Sequence, residues 1–487
     1  MPFTYADLFA GIGGFHAALS ALGGECRFVA EIDDDARQVY GANWGSRLPA
    51  DFGRQRRLDA DVVPLTETAM KVPKTDVLAA GFPCQPFSKS GFQRGINETR
   101  GTLFFNILRV LRERPPAVVL LENVRNLAGP RHTETWQMIV RQLRDAGYKV
   151  AGQPTVFSPH FLPPEKGGTP QVRDRVFILG TYVGSAEEAW RLSEDAPVVP
   201  RAPVPRASGE AWDPLGWDLA RTVLPFVGGP LLQDEDEYTA RYALTDAETR
   251  WLDVWDDFVA TMWEARDGVR LPGFPLWADV WLAVRDKGDI VIPRATPAWK
   301  ASFLRKNRDL YVEHREAIDC WLDRHCDLAE LPPSRRKFEW QAQDESHLWD
   351  CVIHMRPSGI RVKRATYLPA LVAITQTSII GPRRRRLTPR EAARLQGLPD
   401  VYDFGAQSDA LTYKQLGNGV SVGAAYYVLR EHVRADRALI PARVADPILA
   451  APDCPVVHVP GDRPAAVATV APRPAASLRA AAALATA

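Results

Sequence analysis

Residues 7–15 read Asp7-Leu8-Phe9-Ala10-Gly11-Ile12-Gly13-Gly14-Phe15. A short apolar strand is predicted over Thr4–Phe9, and the glycines after it open a predicted helix over Gly14–Leu22. A strand, a Gly-rich turn and a helix in this order allow the backbone to approach a nucleotide-like ligand closely. A dinucleotide site would carry a further glycine at position 16, where this chain has His16. The turn is therefore typical of a site for an adenosyl ligand without a pyrophosphate; the alternative is a tight structural bend.

Strands and helices alternate through residues 1–180. A second strand is predicted over Arg27–Ile32 and a second helix over Ala36–Asn43. Glu31 ends that strand, 20 residues after Gly11, where an acid can accept hydrogen bonds from ribose hydroxyls. The other predicted strands are Asp76–Ala80, Ala117–Leu121 and Val176–Gly180, and the other predicted helices are Leu103–Arg112 and Thr135–Ala146. This alternation predicts an α/β fold with a doubly wound, mostly parallel sheet.

The alternation stops after Gly180. Residues 181–235 are rich in Pro, Ala and acidic residues, and twelve of the fourteen tryptophans lie between Trp190 and Trp349. We expect a separate second domain here, in which most tryptophans are core residues.

The C-terminal third carries two more helix signals. Thr388-Pro389-Arg390-Glu391 offers an N-cap, a proline in the first turn and an acid at the third position, which predicts a helix start. A loop and a final apolar helix are expected over Tyr413–Arg430. Residues 435–487 are rich in Ala and Pro with few aromatics, which predicts a disordered tail.

The charge balance excludes a globally basic protein. The formal net charge is +1, so nucleic-acid binding has to rest on local clusters such as Arg383–Arg386. That cluster is expected either to contact phosphates or to form a solvated loop. The N-terminus does not resemble a signal peptide, and no apolar run approaches the length of a membrane span. These observations predict a cytoplasmic protein.

The six cysteines form no CxxC pair, and we expect no bound metal. In a reducing compartment an important cysteine is more often catalytic than bridged. Cys84 lies in Gly81-Phe82-Pro83-Cys84-Gln85-Pro86-Phe87-Ser88, directly after a predicted strand. Open α/β sheets bind ligands at the carboxyl ends of their strands, and the flanking prolines stiffen the loop. The pattern favours a nucleophile; the alternative is a small buried hydrophobic residue.

Two further motifs are predicted near the same sheet edge. Glu122-Asn123-Val124 follows the apolar run Val118–Leu121, so the Glu122 carboxylate is expected to face the same cleft as Cys84. Arg173 and Arg175 share one face of an extended segment before the strand Val176–Gly180. They are expected to orient a carboxylate or bind an anion. The alternative is a solvent-facing loop acid for Glu122 and surface ion pairs for the two arginines.

Together these motifs resemble the bacterial DNA (cytosine-5)-methyltransferases. The resemblance extends to Arg100-Gly101-Thr102-Leu103-Phe104, to Leu387–Gly397 and to Tyr413–Val420. The motifs occur in the family's order and cover residues 1–180 and about 385–430. The resemblance implies an enzyme that transfers a methyl group from S-adenosylmethionine to C5 of a flipped-out cytosine in double-stranded DNA, through a covalent intermediate.

The resemblance also implies roles for individual residues. Cys84 would be the nucleophile, and Glu122 would hydrogen-bond the target cytosine with Arg173 and Arg175 in support. The implied cofactor-binding residues are Phe9, Gly11, Ile12, Gly13, Gly14, Glu31, Ile32, Asp61, Val62, Pro83, Leu103, Asn418 and Val420. The implied DNA-binding residues are Gln85, Ser88 and Ser90. Asp59 is an alternative to Asp61 as the acid that contacts adenine. Gly419 stands where many relatives carry serine, so no hydroxyl contact is expected there.

The resemblance implies a Rossmann-like catalytic domain over residues 1–180, completed by residues 408–434. Residues 181–407 would form a smaller variable target-recognition domain, with DNA in the cleft between the two. We expect a monomer, functionally paired with a restriction endonuclease.

Three alternatives remain open from the sequence. The RNA-methylating branch of the same superfamily shares the catalytic set, although the long Trp-rich segment favours DNA. A regulatory protein that binds without catalysis is disfavoured by the joint presence of Cys84, Glu122 and Arg173. A nucleotide-dependent oxidoreductase is disfavoured by His16. The target DNA sequence cannot be deduced.

Overall fold

A computed structural model describes residues 2–45, 60–67, 70–83, 103–371 and 377–459. The described helices are α1 Gly14–Ala21, α2 Asp34–Trp44, α3 Val62–Glu67, α4 Leu103–Glu113, α5 Thr133–Asp145, α6 Ala186–Leu192, α7 Glu237–Ala240, α8 Asp246–Ala265, α9 Ala278–Lys287, α10 Ala298–Glu313, α11 Arg315–Arg324, α12 Pro389–Gln396, α13 Asp409–Asn418, α14 Val422–Ala435 and α15 Ala442–Ala450. Of these helices, none is long and apolar enough to cross a membrane.

The described strands are β1 Thr4–Leu8, β2 Glu25–Ala30, β3 Val77–Gly81, β4 Val118–Val124, β5 Tyr148–Val150, β6 Thr155–Phe157, β7 Gln171–Val172, β8 Arg175–Tyr182, β9 Val223–Leu224, β10 Gly229–Pro230, β11 Leu276–Trp277, β12 Lys337–Gln341, β13 Cys351–Arg356, β14 Gly359–Arg364, β15 Leu368–Pro369, β16 Ile379–Ile380 and β17 Arg385–Arg386. Within the described ranges, the larger sheet has seven strands in the order β2-β1-β3-β4-β8-β5, with β6 also paired to β8.

The larger sheet confirms the predicted α/β class. Strands β2, β1, β3 and β4 are parallel, while β8 runs antiparallel to β4 and is flanked by antiparallel β5 and β6. Residues 118–121 of β4 are fully buried, as expected of a central strand covered on both faces. The predicted helix at Thr388 is also confirmed, since Thr388 and Glu391 form a capping box at the start of α12.

Buried apolar side chains of the described residues form three clusters: the first core and a third cluster on the two faces of the larger sheet, and a separate second core. The first and second cores divide the chain differently from the predicted boundary at residue 180. The second core is built from residues between Leu252 and Val362, together with Ile379. It contains Trp255, Trp281 and Trp321, all fully buried, which fits the expected role of tryptophan as core. Buried side chains from 199 to 232 and from 387 to 433 instead pack with the first core, against α1 and the larger sheet. Apolar side chains in the Pro-rich segment therefore extend the first core.

The arginines of the Arg383–Arg386 cluster have carboxylate partners within the protein, and Arg385 is buried. Arg385 is 2% exposed and pairs with Glu391 at 2.8 Å and Glu235 at 3.0 Å. Arg386 pairs with Glu248 at 2.6 Å. A solvated loop is therefore wrong for Arg385, whose ion pairs join β17 to α12 and to the segment before α7.

Two predictions near the C-terminus were wrong. The segment from Tyr413 to Asn418, predicted to begin a loop, is the second half of helix α13. Residues 436–459 are ordered rather than disordered: α15 packs against α14, and Val444, Ala445 and Ile448 are fully buried in the first core. The reason is that the few apolar residues of this Ala-rich stretch share one helix face. The rest of the predicted tail, 460–487, lies outside the described residues.

We predict that Ile448→Ala lowers the free energy of unfolding by about 2–4 kcal/mol, because it leaves a cavity in a fully buried position. Leu439→Ala is the matched control, since Leu439 is 37% exposed, and it should cost less than about 1 kcal/mol. Urea denaturation followed by circular dichroism measures both. Equal, small losses would contradict the packing of α15 on the first core.

Candidate active site and cofactor site

The predicted motifs meet at one edge of the larger sheet. Strands β1, β3 and β4 are parallel, and Gly81 at the end of β3 lies opposite Glu122 of β4. Strand β8 runs the other way, so its first residue, Arg175, lies opposite Val124 at the same edge. The segments after β1, β3 and β4 and before β8 therefore converge, as ligand-binding segments do in open α/β sheets.

Glu122 and Arg175 form a largely buried ion pair at this edge. The distance from Arg175 Nε to Glu122 Oε1 is 2.9 Å, and Glu122 is 9% exposed. Burial raises the pKa of Glu122, while the charges of Arg175 and Arg173 oppose that rise. The site therefore holds a carboxyl group whose proton affinity is increased by burial and limited by two cations.

Arg173 has a different set of contacts. Its guanidinium donates to the carbonyl of Leu371 at 3.0 Å and to those of Gly417 and Gly419 at 2.9 and 2.5 Å. Burial, then the nearby charge of Arg175, lowers the pKa of Arg173 to about 9. The two arginines therefore act on Glu122 in different ways. Arg175 contacts the carboxylate directly. Arg173 affects the carboxylate only through its charge, and its guanidinium binds backbone carbonyls of segments distant in sequence.

The Gly-rich turn after β1 is held by Glu31. Glu31 Oε2 accepts from the Gly11 N–H at 2.7 Å, and Oε1 accepts from the Asp33 N–H at 2.8 Å. Gly11 has a positive φ of 54°, and the position of a Cβ there would be open space. Ile32 is 43% exposed beside it. An open, Gly-lined turn next to a carboxylate with free lone pairs fits an adenosyl ligand with ribose hydroxyls.

The returning C-terminal segment closes onto this turn. A Cβ on Gly14 would lie 2.7 Å from Val420 Cγ1, so only glycine permits the observed approach. Asn418 is exposed at the end of α13, between the two glycines whose carbonyls Arg173 binds. The structure therefore brings Val420 to the predicted cofactor turn, with exposed Asn418 two residues before it.

Of the other predicted cofactor residues, several are buried in the protein interior and one lies at the start of α3. Ile12 is 3% exposed and Gly13 packs against Trp44, so both face the core. Val62 is buried in the cluster that also receives Phe9. Asp61 Oδ1 accepts from the Val63 N–H at 3.0 Å at the start of α3.

The predicted cofactor residue Leu103 begins α4. That helix is joined to α3 by a hydrogen bond from Asn106 Nδ2 to Thr66 Oγ1 at 2.8 Å. Asp59 lies outside the described residues.

The chain that leads into the predicted nucleophile is fixed beside Glu122. Asn123 Nδ2 donates to the Phe82 carbonyl at 3.0 Å, and Pro83 is exposed at the end of the described segment. Cys84, Gln85, Ser88 and Ser90 lie outside the described residues.

Sequence reasoning missed three supporting residues. Asn123 and Asp7 belong to motifs that were recognised in the sequence. Asn123 directly follows Glu122 and Asp7 begins the Gly-rich motif, and these positions could have indicated their supporting roles. Asp7 is fully buried, and burial followed by the charge of Glu31 raises its pKa well above the ordinary value. Ser158, whose Oγ accepts from the Arg173 N–H at 2.8 Å, had no signal because only the fold brings it there.

The fold and this edge define a Rossmann-like α/β enzyme with an acid and arginine centre beside an adenosyl site. A family model described as C-5 cytosine-specific DNA methylase matches residues 3–219 and 298–434. The Type II methyltransferase M.AluI of Cellulosimicrobium cellulans is 46% identical over 496 residues, covering 90% of this chain and 93% of that protein. The Type II methyltransferase M.HpaII of Haemophilus parainfluenzae is 38% identical, covering 87% of each.

This chain therefore belongs to the C-5 cytosine-specific DNA methylase family. It is a DNA cytosine-5 methyltransferase, and its methyl donor is S-adenosylmethionine. The resemblance drawn from the sequence motifs is confirmed.

We predict that Arg175→Gln raises the pKa of Glu122 further, because burial is retained while the cation in contact with the carboxylate is lost. An NMR titration of the isotope-labelled Glu122 carboxyl carbon, assigned with Glu122→Gln, measures it. Arg125→Gln is the matched control, since Arg125 pairs with Asp174 at 2.9 Å instead, and it should leave the titration unchanged. An unchanged or lower midpoint in Arg175→Gln would refute the electrostatic assignment.

Proposed function

We propose that this chain methylates C5 of a cytosine flipped out of a specific DNA duplex, with Cys84 as a covalent nucleophile. The observation that carries the proposal is the convergence of the Glu122–Arg175 pair with the strand end that leads into Cys84. C5 of cytosine is a weak nucleophile. Addition of a thiolate to C6 turns the ring into an enamine and makes C5 reactive, so covalent catalysis divides one difficult step into easier ones.

Each residue at the edge has a defined part in this scheme. The Cys84 thiolate forms a bond to C6 while Glu122, whose pKa is raised by burial, holds a proton at cytosine N3. Arg175 orients the Glu122 carboxyl group. Loss of the C5 proton and expulsion of the Cys84 thiolate then restore the aromatic ring. Arg173 is a positioning residue, since it binds backbone carbonyls rather than the reacting groups.

The cofactor would bind across the Gly-rich turn. When bound, S-adenosylmethionine supplies an electrophilic methyl group to C5. Glu31 would accept from the ribose hydroxyls while it continues to hold the Gly11 N–H. Asn418 and Val420 would close the site from the returning segment. The remaining proposed cofactor contacts are Phe9, Ile12, Gly13, Gly14, Ile32, Asp61, Val62, Pro83 and Leu103.

DNA would lie against both cores. A base within a duplex is stacked, so the target cytosine has to be flipped out at a cost of a few kcal/mol. Gln85, Ser88 and Ser90 would contact the DNA next to the target. The domain built on the second core would select the sequence, a proposal supported by its own hydrophobic core, which is separate from the clusters that cover the larger sheet.

The biological role would be protection of DNA from a restriction endonuclease. The two relatives described above are both named Type II methyltransferases, which supports this role. The enzyme would act as a monomer in the cytoplasm and without a metal ion.

We predict that duplex DNA containing 5-fluorocytosine in place of every cytosine becomes permanently joined to the protein when S-adenosylmethionine is present. After methyl transfer, C5 carries fluorine where a proton would leave, so the Cys84 thiolate cannot be expelled. Because every cytosine is replaced, the target sequence need not be known. Denaturing electrophoresis and mass spectrometry of a digest should detect the adduct on Cys84.

Cys84→Ala should form no adduct, and Cys320→Ala, which alters an exposed cysteine, should react like the parent protein. An adduct on a different cysteine, or methylation of normal DNA without any trapping, would reject Cys84 as the nucleophile.

A further inference from the structure

The smaller sheet, in the order β11-β12-β14-β13-β16-β17 within the described ranges, has two unlike faces. On β13, Cys351, Ile353 and Met355 point into the second core. Val352, on the opposite face, packs instead into the first core together with Ile380 of β16. This opposite face is therefore directed toward the catalytic unit.

Polar side chains fill the rest of that face. Phe338 and Trp340 of β12 and Ile360 and Val362 of β14 belong to the second core, so the residues between them project the other way. These residues, together with two from β13, are Glu339, Gln341, Arg361, Lys363, His354 and Arg356. We call this set the basic sheet face.

The cations on the basic sheet face exceed the negative charge that they contact. Arg356 Nη2 and Arg361 Nε both bind the same oxygen of Glu339, at 2.7 and 2.8 Å. Lys363 lies on the same face of β14, two residues beyond Arg361. Burial and the charge of Arg361 lower the pKa of Lys363. Two arginines thus share one carboxylate oxygen, and Lys363 adds a third cation, so the charges on the basic sheet face sum to a positive value.

Histidine protonation does not add to this charge, since burial and then Lys363 lower the pKa of His354 to about 4. His354 Nε2 lies 2.8 Å from Ser378 Oγ. Elsewhere in the same domain, Arg385 and Arg386 each have carboxylate partners. The arginines of β17 are therefore neutralised, whereas the basic sheet face keeps a positive excess in a chain whose net charge is only +1.

The strand that carries Arg361 and Lys363 leads directly to the catalytic edge. Shortly after Arg364, the chain forms β15, whose Leu368 pairs with Gln171 of β7. Leu371 then accepts the hydrogen bond from Arg173. The basic sheet face and the Glu122 site are therefore connected by a short, anchored segment.

We infer that the basic sheet face binds backbone phosphates of duplex DNA next to the methylated site. The inference rests on the proposed function, because it takes the substrate to be duplex DNA. Arginine and lysine side chains are the common phosphate ligands, and such contacts fix the position of a protein on DNA without reading its sequence. Glu339 limits the charge of the face when DNA is absent.

The first test is charge removal by Arg361→Gln and by Lys363→Gln. Each variant should weaken binding to target and unrelated duplexes alike, by roughly tenfold at moderate salt, and should reduce the slope of log affinity against log salt by about one. Fluorescence anisotropy at several salt concentrations measures both quantities. Lys287→Gln is the matched control, since exposed Lys287 ends α9, which packs on the opposite side of the second core; it should change neither.

The second test is Glu339→Gln, which removes the carboxylate that Arg356 and Arg361 share. DNA affinity should rise several-fold and the salt slope should steepen, whereas a purely structural ion pair would give no gain in binding. Unchanged DNA affinity in all three folded variants, or a loss confined to the target sequence, would overturn the inference.

Bisulfite sequencing of plasmid DNA from cells that express the parent chain distinguishes failure of this inference from failure of the proposed function. Methylated plasmid DNA together with unaffected variants would reject the basic sheet face alone. Unmethylated plasmid DNA from cells that contain the folded parent protein would reject the proposed function and, with it, the inference.

Discussion

The buried guanidinium of Arg173 is the interaction on which the arrangement of the active edge depends. It joins three segments that are far apart in sequence: the strand-forming segment before β8, the segment at Leu371, and the glycines on either side of Asn418. A buried arginine without these carbonyl acceptors would be strongly destabilising, because its charge and donors would lose their partners. The segments that form the active edge are therefore far apart in sequence but are held together in the folded chain by hydrogen bonds from Arg173.

This closure explains how two cores can serve one reaction. The second core forms within a long insertion between the catalytic segments, and the insertion is anchored at both ends. Arg385 binds Glu235, which precedes the second core in sequence, and also Glu391 at the start of α12, while Leu368 pairs with β7. The sheet that closes the second core is therefore linked to the active edge through β15 and Leu371. The two cores are held together by these fixed contacts.

The sequence predicted those strands and helix ends that local residue patterns determine. Buried runs such as Val118–Leu121 and the capping signal at Thr388 specified elements correctly, and the motifs predicted one shared edge. Contacts that depend on the assembled chain could not be predicted. Examples are the different partners of Arg173 and Arg175, and the packing of alternate β13 side chains into two different cores. The C-terminal helix α15 was missed because composition alone suggested disorder, although Val444, Ala445 and Ile448 recur at helical spacing.

The central claim is that Arg173 holds the returning segment in place and so completes the cofactor site. Hydrogen–deuterium exchange of Arg173→Gln, compared with the parent protein, tests it most directly because exchange reports local opening. Peptides covering residues 409–421 should exchange faster in the variant, while peptides of the second core between residues 252 and 362 should be unchanged. Unchanged exchange over 409–421, or equal acceleration throughout the chain, would contradict the claim.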